Sequence, residues 1–165
     1  MYSADLSLDA SSNGWTDGGP GLGGYCFATH EFFATGVPSS MASWNISDLE
    51  LLACLVALRL WGKGWSRCSV NLLTDNESVR HLIGNGRTRS PLRLKMARSI
   101  VGLQFSGEFR IVPARISTGQ NVLADALSRL GEDGMWHRFS SVCSRNDVSP
   151  RRILMPASTF DQETW

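Results

Sequence analysis

Four acids, Asp9, Glu50, Asp75 and Asp125, are the side chains of this 165-residue sequence whose types and spacing could do chemistry. Asp9 closes the alternating run SADLSLD, and Glu50 stands early in the apolar run DLELLACLVALRLWGK. Asp75 directly follows VNLLT, and Asp125 lies inside NVLADALSRL. An ordered set of carboxylates on different elements can close around two divalent cations. Hard Mg²⁺ takes oxygen ligands, keeps waters and is completed by substrate phosphate, so the set needs neither His nor Cys. Two such ions can activate a water and stabilise the leaving oxygen of an in-line phosphodiester displacement. The chemistry to which this set points is metal-dependent nuclease chemistry.

Each acid also has a plainer reading. Glu50 follows Ser47 by three positions, the capping-box spacing in which Glu bonds back to the cap. Asp75 could cap the next helix, although Thr74 or Asn76 could do so equally well. Asp125 is placed mid-helix, where Asp is disfavoured by roughly 0.5 kcal/mol against Ala. Its helix already has a candidate cap in Asn121, and Arg129 stands four residues on, the spacing of a helical ion pair.

The elements that must position these acids follow from periodicity. Asp5 to Asp9 alternates as a half-buried strand, and the glycine-rich GGPGLGG reads as a turn. Tyr25–Thr29 and Glu31–Val37 read as two further strands of a meander. The segment from Asp48 to about Lys63 is apolar on nearly all sides, which predicts a helix buried against a sheet. Val70–Leu73 reads as a buried strand, parallel to the first, with helices over Glu77–Ile83 and Leu92–Leu103. A strand over Phe109–Ala114 and a helix over Asn121–Leu130 complete a meander followed by α/β crossovers.

Length and composition predict one globular core: 42% of the residues are hydrophobic, 19% are charged, and the net charge is +1. The four cysteines form no CxxC pair and read as reduced thiols in the core. No apolar run reaches membrane-spanning length and none resembles a signal peptide. The expectation is an intracellular domain with no membrane partner, cytoplasm and nucleus being left undistinguished.

The sequence resembles the RNase H domain of reverse-transcribing elements. The matching pieces are LDAS (8–11), DLELLACLVAL (48–58), LLTDN (72–76), RTRSP (87–91) and VPARISTGQNVLADALSRL (112–130). The last, with its N-x-x-A-D-x-L-S-R, is the most specific; together they look most like gypsy-type LTR elements and DIRS-like tyrosine-recombinase elements. The resemblance implies a five-stranded mixed sheet flanked by helices, with an RNase H-like catalytic domain over residues 1–132. Residues 133–165 are expected to be a partly irregular extension. It further implies hydrolysis of the RNA strand of an RNA–DNA hybrid, with two Mg²⁺ or Mn²⁺ ions held by Asp9, Glu50, Asp75 and Asp125. A reverse transcriptase domain in the same polyprotein is the implied partner. One position departs from the family. Arg115 stands where a loop His is usual, and arginine cannot serve as a base at neutral pH, although it can hold a phosphate.

Residues 87–98, RTRSPLRLKMAR, carry five basic residues and no acid. They read either as a solvated helix face or as a patch for the hybrid backbone, with Arg87, Arg89 and Arg93 as candidate contacts. Ser11, Asn76, Arg115 and Asn121 are further candidate substrate contacts, the first two by adjacency to the acids. Trp15 could lie near substrate, the other early tryptophans in the core. Asp17 imitates a catalytic acid but reads as a turn residue. Two rival functions are a catalytically weak hybrid-binding module and a DDE-type integrase core, which would use Asp9, Asp75 and Glu108, 33 positions after Asp75.

Overall fold

In the computed structural model, residues 3–165 are described, and a central strand organises them. Strand β1 (Ser3–Ser11) pairs antiparallel with β2 (Gly21–Cys26), which pairs antiparallel with β3 (Glu31–Gly36). On its other side β1 pairs parallel with β4 (Ser69–Thr74), and β4 pairs parallel with β5 (Arg110–Arg115). A short strand β6 (Arg151–Arg152) joins β3, giving the order β5-β4-β1-β2-β3-β6. The helices are α1 (Ile46–Trp61), α2 (Glu77–Asn85), α3 (Pro91–Gly107), α4 (Val122–Ser128) and α5 (Met135–Arg145).

The mixed α/β architecture agrees with the expectation; the sheet has six strands instead of five. The strand β1 departs more instructively. Leu6, Leu8 and Ala10 face the main core with α1, as a period of two demands. The alternate residues Ser7, Asp9 and Ser11 are buried as well, because α4 covers that face. A polar face on a strand buried on both sides survives only if every group is bonded, and here α4 supplies the partners.

The glycine-rich stretch is accordingly more than a turn. Its Gly21 and Gly23 lie in β2 directly beneath α4. A Cβ on Gly21 would overlap the Ser128 carbonyl, and one on Gly23 would stand 2.6 Å from the Ala124 carbonyl oxygen. Bare backbone at both positions lets helix and strand approach closely.

Helix α1 is buried along most of its length, since it fills the space between the sheet and α3. Its cap is Asn45, whose side chain accepts from the Asp48 N–H. Ser47 is therefore not the cap, and the capping-box reading of Glu50 fails. The helix at Asn121–Leu130 is shorter than expected, Val122–Ser128, so Asp125, though its central residue, also belongs to its first turn. An acid there is favoured by the helix dipole, and the propensity argument against it lapses.

Residues 133–165 carry the helix α5 and the short strand β6 among irregular segments. Phe139 and Cys143 of α5 join Tyr25, Phe32, Ala34, Ala126 and Leu127 in a second apolar cluster, on the opposite face of the sheet from α1. Trp15 packs against that cluster and over Gly36. All four cysteines are buried and free, and Trp61 and Trp65 are buried in the main core. Among the described residues no helix is long and apolar enough to cross a membrane.

Candidate active site

Parallel pairing sets the first two acids side by side. The β1–β4 register matches Ser3 with Ser69 and Ser7 with Leu73, so continuing it places Asp9 level with Asp75. Glu50, in the first turns of α1, reaches the same sheet end. One carboxylate oxygen from each of Asp9, Glu50 and Asp75 lies within 4.8 Å of the others. No other group of three metal-ligating side chains gathers so closely among the described residues.

Each acid is held by a hydroxyl donor. Ser128 Oγ donates to Asp9 Oδ2 at 2.8 Å, and Thr118 Oγ1 donates to Asp75 Oδ2 at 3.0 Å. Thr74 Oγ1 lies 3.4 Å from Glu50 Oε2, a longer contact. Ser128 stands one helical turn beyond Asp125, so the ADALS spacing carried a signal for it. Thr118 had none: it lies in the loop between β5 and α4, 43 positions from the Asp75 it bonds.

Crowding dominates the electrostatics. Burial, then the neighbouring Asp75 and Asp125, push the Asp9 carboxyl up to about 7 against the opposing Ser128 hydrogen bond. Burial, followed by the charges of Asp9 and Asp75, pushes Glu50 up to about 9. The two buried carboxyls, Asp9 and Glu50, thus resist ionising together near neutral pH without a cation beside them. An all-oxygen donor set whose negative charge is uncompensated fits a hard divalent ion.

Asp125 is placed differently. Its Oδ1 accepts from Arg129 Nε at 3.0 Å and its Oδ2 from Arg138 Nη1 at 3.2 Å. It is near enough to Asp9 to raise its pKa, yet lies outside the close trio.

No protein-family model matches the sequence, and no curated protein matches it. Solved structures do match in shape. The RNase H1 of the halophilic archaeon Halobacterium salinarum NRC-1 superposes with a TM-score of 0.61 at 15% identity, covering 79% of this chain and 97% of its own. LC11-RNase H1, solved in complex with an RNA/DNA hybrid, gives a TM-score of 0.57 at 15% identity over 81% of this chain and 99% of its own. A foamy viral protease-reverse transcriptase, also in complex with an RNA/DNA hybrid, gives 0.60 at 15% identity. That match covers 79% of this chain but 20% of the viral one. The fold is RNase H-like.

Within this RNase H-like frame, several candidate substrate residues are structural. Ser11 is buried, donating to the Ser128 carbonyl at 2.6 Å. Asn121 is buried too: it accepts from Ser7 Oγ at 2.7 Å and donates to the Leu8 carbonyl at 2.9 Å. It stands at the N-cap position, but its side chain makes no cap bond. Both side chains are buried and engaged within the fold. Asn76 is the cap of α2, accepting from the Val79 N–H, and its amide donates to Ser47. Arg93 is committed to Asp48 at 2.6 Å, tying α3 to the start of α1. Arg87, Arg89, Lys95 and Arg98 remain exposed. Arg115 ends β5 opposite Thr74 with its side chain exposed, at the same sheet end as the acids.

The integrase reading loses its third acid. Glu108 precedes Arg110, which pairs with Ser69 at the start of β4, whereas Asp75 follows the end of β4. The two acids lie at opposite ends of the sheet. Glu108 there caps α3 and lies 3.7 Å from Arg67. Asp17 is an exposed turn residue accepting from the Gly19 N–H.

Proposed function

We propose that the chain is a ribonuclease H that hydrolyses the RNA strand of RNA–DNA hybrids endonucleolytically, serving reverse transcription of a retroelement. The observation that carries this reading is the close trio Asp9, Glu50 and Asp75 at one end of an RNase H-like sheet. LC11-RNase H1 and the foamy viral enzyme were both solved with an RNA/DNA hybrid, in keeping with that substrate class. A reverse transcriptase domain is the proposed partner, since a foamy viral protease-reverse transcriptase contains a segment of this shape.

Asp9, Glu50 and Asp75, joined by Asp125, would hold two Mg²⁺ or Mn²⁺ ions. Such ions activate a water and stabilise the oxygen that leaves an in-line displacement, here yielding a 3′-hydroxyl and a 5′-phosphate. The chain's own contribution is preorganisation. The Ser128 and Thr118 hydroxyls fix the orientations of Asp9 and Asp75, and burial makes Asp9 and Glu50 strong cation acceptors once ionised. The exposed basic residues Arg87, Arg89, Lys95 and Arg98 would follow the hybrid backbone and give salt-sensitive binding.

The test is incubation with end-labelled RNA–DNA hybrid, single-stranded RNA and duplex DNA, in Mg²⁺ or EDTA. Cleavage of RNA only within the hybrid is expected, abolished by EDTA, Asp9→Asn or Asp75→Asn and largely retained in Asp17→Asn. Binding without cleavage would leave a hybrid-binding module, and strand transfer on duplex DNA would restore the integrase.

A further inference from the structure

We infer that Arg138 of α5 is a latch that competes with a divalent cation for Asp125. The inference rests on the nuclease reading for its biological meaning, but not for its test. Three acids of the set converge within 4.8 Å, while both oxygens of Asp125 are engaged by guanidinium groups. An arginine on a carboxylate oxygen takes one of its lone pairs and repels a cation brought to the same atom, so it competes with metal ligation there.

The two arginines are not equivalent. Arg129 belongs to the same stretch as Asp125 and is pinned at its other end by Glu132 at 3.2 Å. Arg138 comes from a different helix, makes this one ion pair among the described residues, and has 44% of its side chain exposed. Its backbone is fixed, because the next residue, Phe139, is buried in the second apolar cluster. The guanidinium can therefore swing away without α5 moving. Released beside the acids, it suits a substrate phosphate, to which arginine binds in bidentate fashion. The segment that follows the catalytic elements thus reaches back to the fourth acid and tunes how readily it takes a metal.

The test is calorimetric titration of Mn²⁺ into the full chain and its variants. Arg138→Gln should bind Mn²⁺ at the weaker site roughly fivefold more tightly, the fold-change expected from removing a partly exposed ion pair. Arg138→Met, which keeps the aliphatic stem over α4, should do the same, and Arg138→Lys should stay near the wild type. In an Asp125→Asn background, Arg138→Gln should change nothing. Unchanged or weaker Mn²⁺ binding in Arg138→Gln and Arg138→Met would overturn the latch. So would a gain that persists without the Asp125 charge, since that would be a general field effect. Absence of hybrid cleavage by the wild type would remove the nuclease reading and leave this comparison intact.

Discussion

At the scale of single residues, burial and mutual repulsion make Asp9 and Glu50 easier to protonate when folded than when unfolded. A raised carboxyl pKa contributes stability that is complete below the unfolded value and is lost as pH rises through the folded one. The protein without added metal should therefore melt at progressively lower temperature between about pH 4 and pH 9, as Asp9 and then Glu50 ionise. Mg²⁺ should flatten that slope by replacing the protons. Glu50→Gln should raise the melting temperature at pH 8 while removing activity, and a scan across pH with and without metal measures both effects. Arg115 stands exposed at the acid end of β5, where the nuclease reading gives it a part in turnover. Arg115→His, which introduces a group that can carry a proton near neutral pH, should raise the turnover of hybrid cleavage, and Arg115→Ala should lower it. Single-turnover and steady-state rates together read the difference.

At the scale of elements, the site depends on α4 lying against the polar face of β1. Asn121 is the main fastening, since it bonds both Ser7 and the Leu8 carbonyl. Asn121→Ala should destabilise the fold by about 1–3 kcal/mol, by leaving two buried polar groups unpaired; urea denaturation measures this. The strands and helices were readable because apolar periods announce them. The polar partners of β1 were not readable. Ser7, Asp9 and Ser11 look like a solvent face in a one-dimensional pattern, and only the helix more than a hundred residues away makes them interior. For the same reason the burial of Ser11 and Asn121 was not readable, because a sequence does not say which way a side chain points. The glycines of GGPGLGG were misread for a related reason: their use is room for α4, not turn geometry alone.

At the scale of the whole molecule, the sheet separates two apolar clusters, and the second is completed by α5. Phe139→Ala should cost about 3–5 kcal/mol, the range for emptying a buried aromatic site, and should lower thermal stability far more than an exposed change such as Trp136→Ala. A melt of both variants decides this. Irregular composition, with Pro150, Pro156 and paired arginines, concealed the order of residues 133–165. Their two sheet residues, Arg151 and Arg152, are too few to leave a strand period, and α5 is anchored by a few apolar side chains.

The bonds between β1 and α4 join positions separated by 113 to 119 residues. Contacts so distant in sequence carry a large loop-closure cost and tend to form late in folding. During synthesis the central strand emerges long before its cover, so Ser7, Asp9 and Ser11 must stay hydrated until α4 is made. Asp9 thus appears early, and the helix that orients it follows more than a hundred residues later. Asn121→Ala should correspondingly quicken unfolding and leave the refolding rate nearly unchanged.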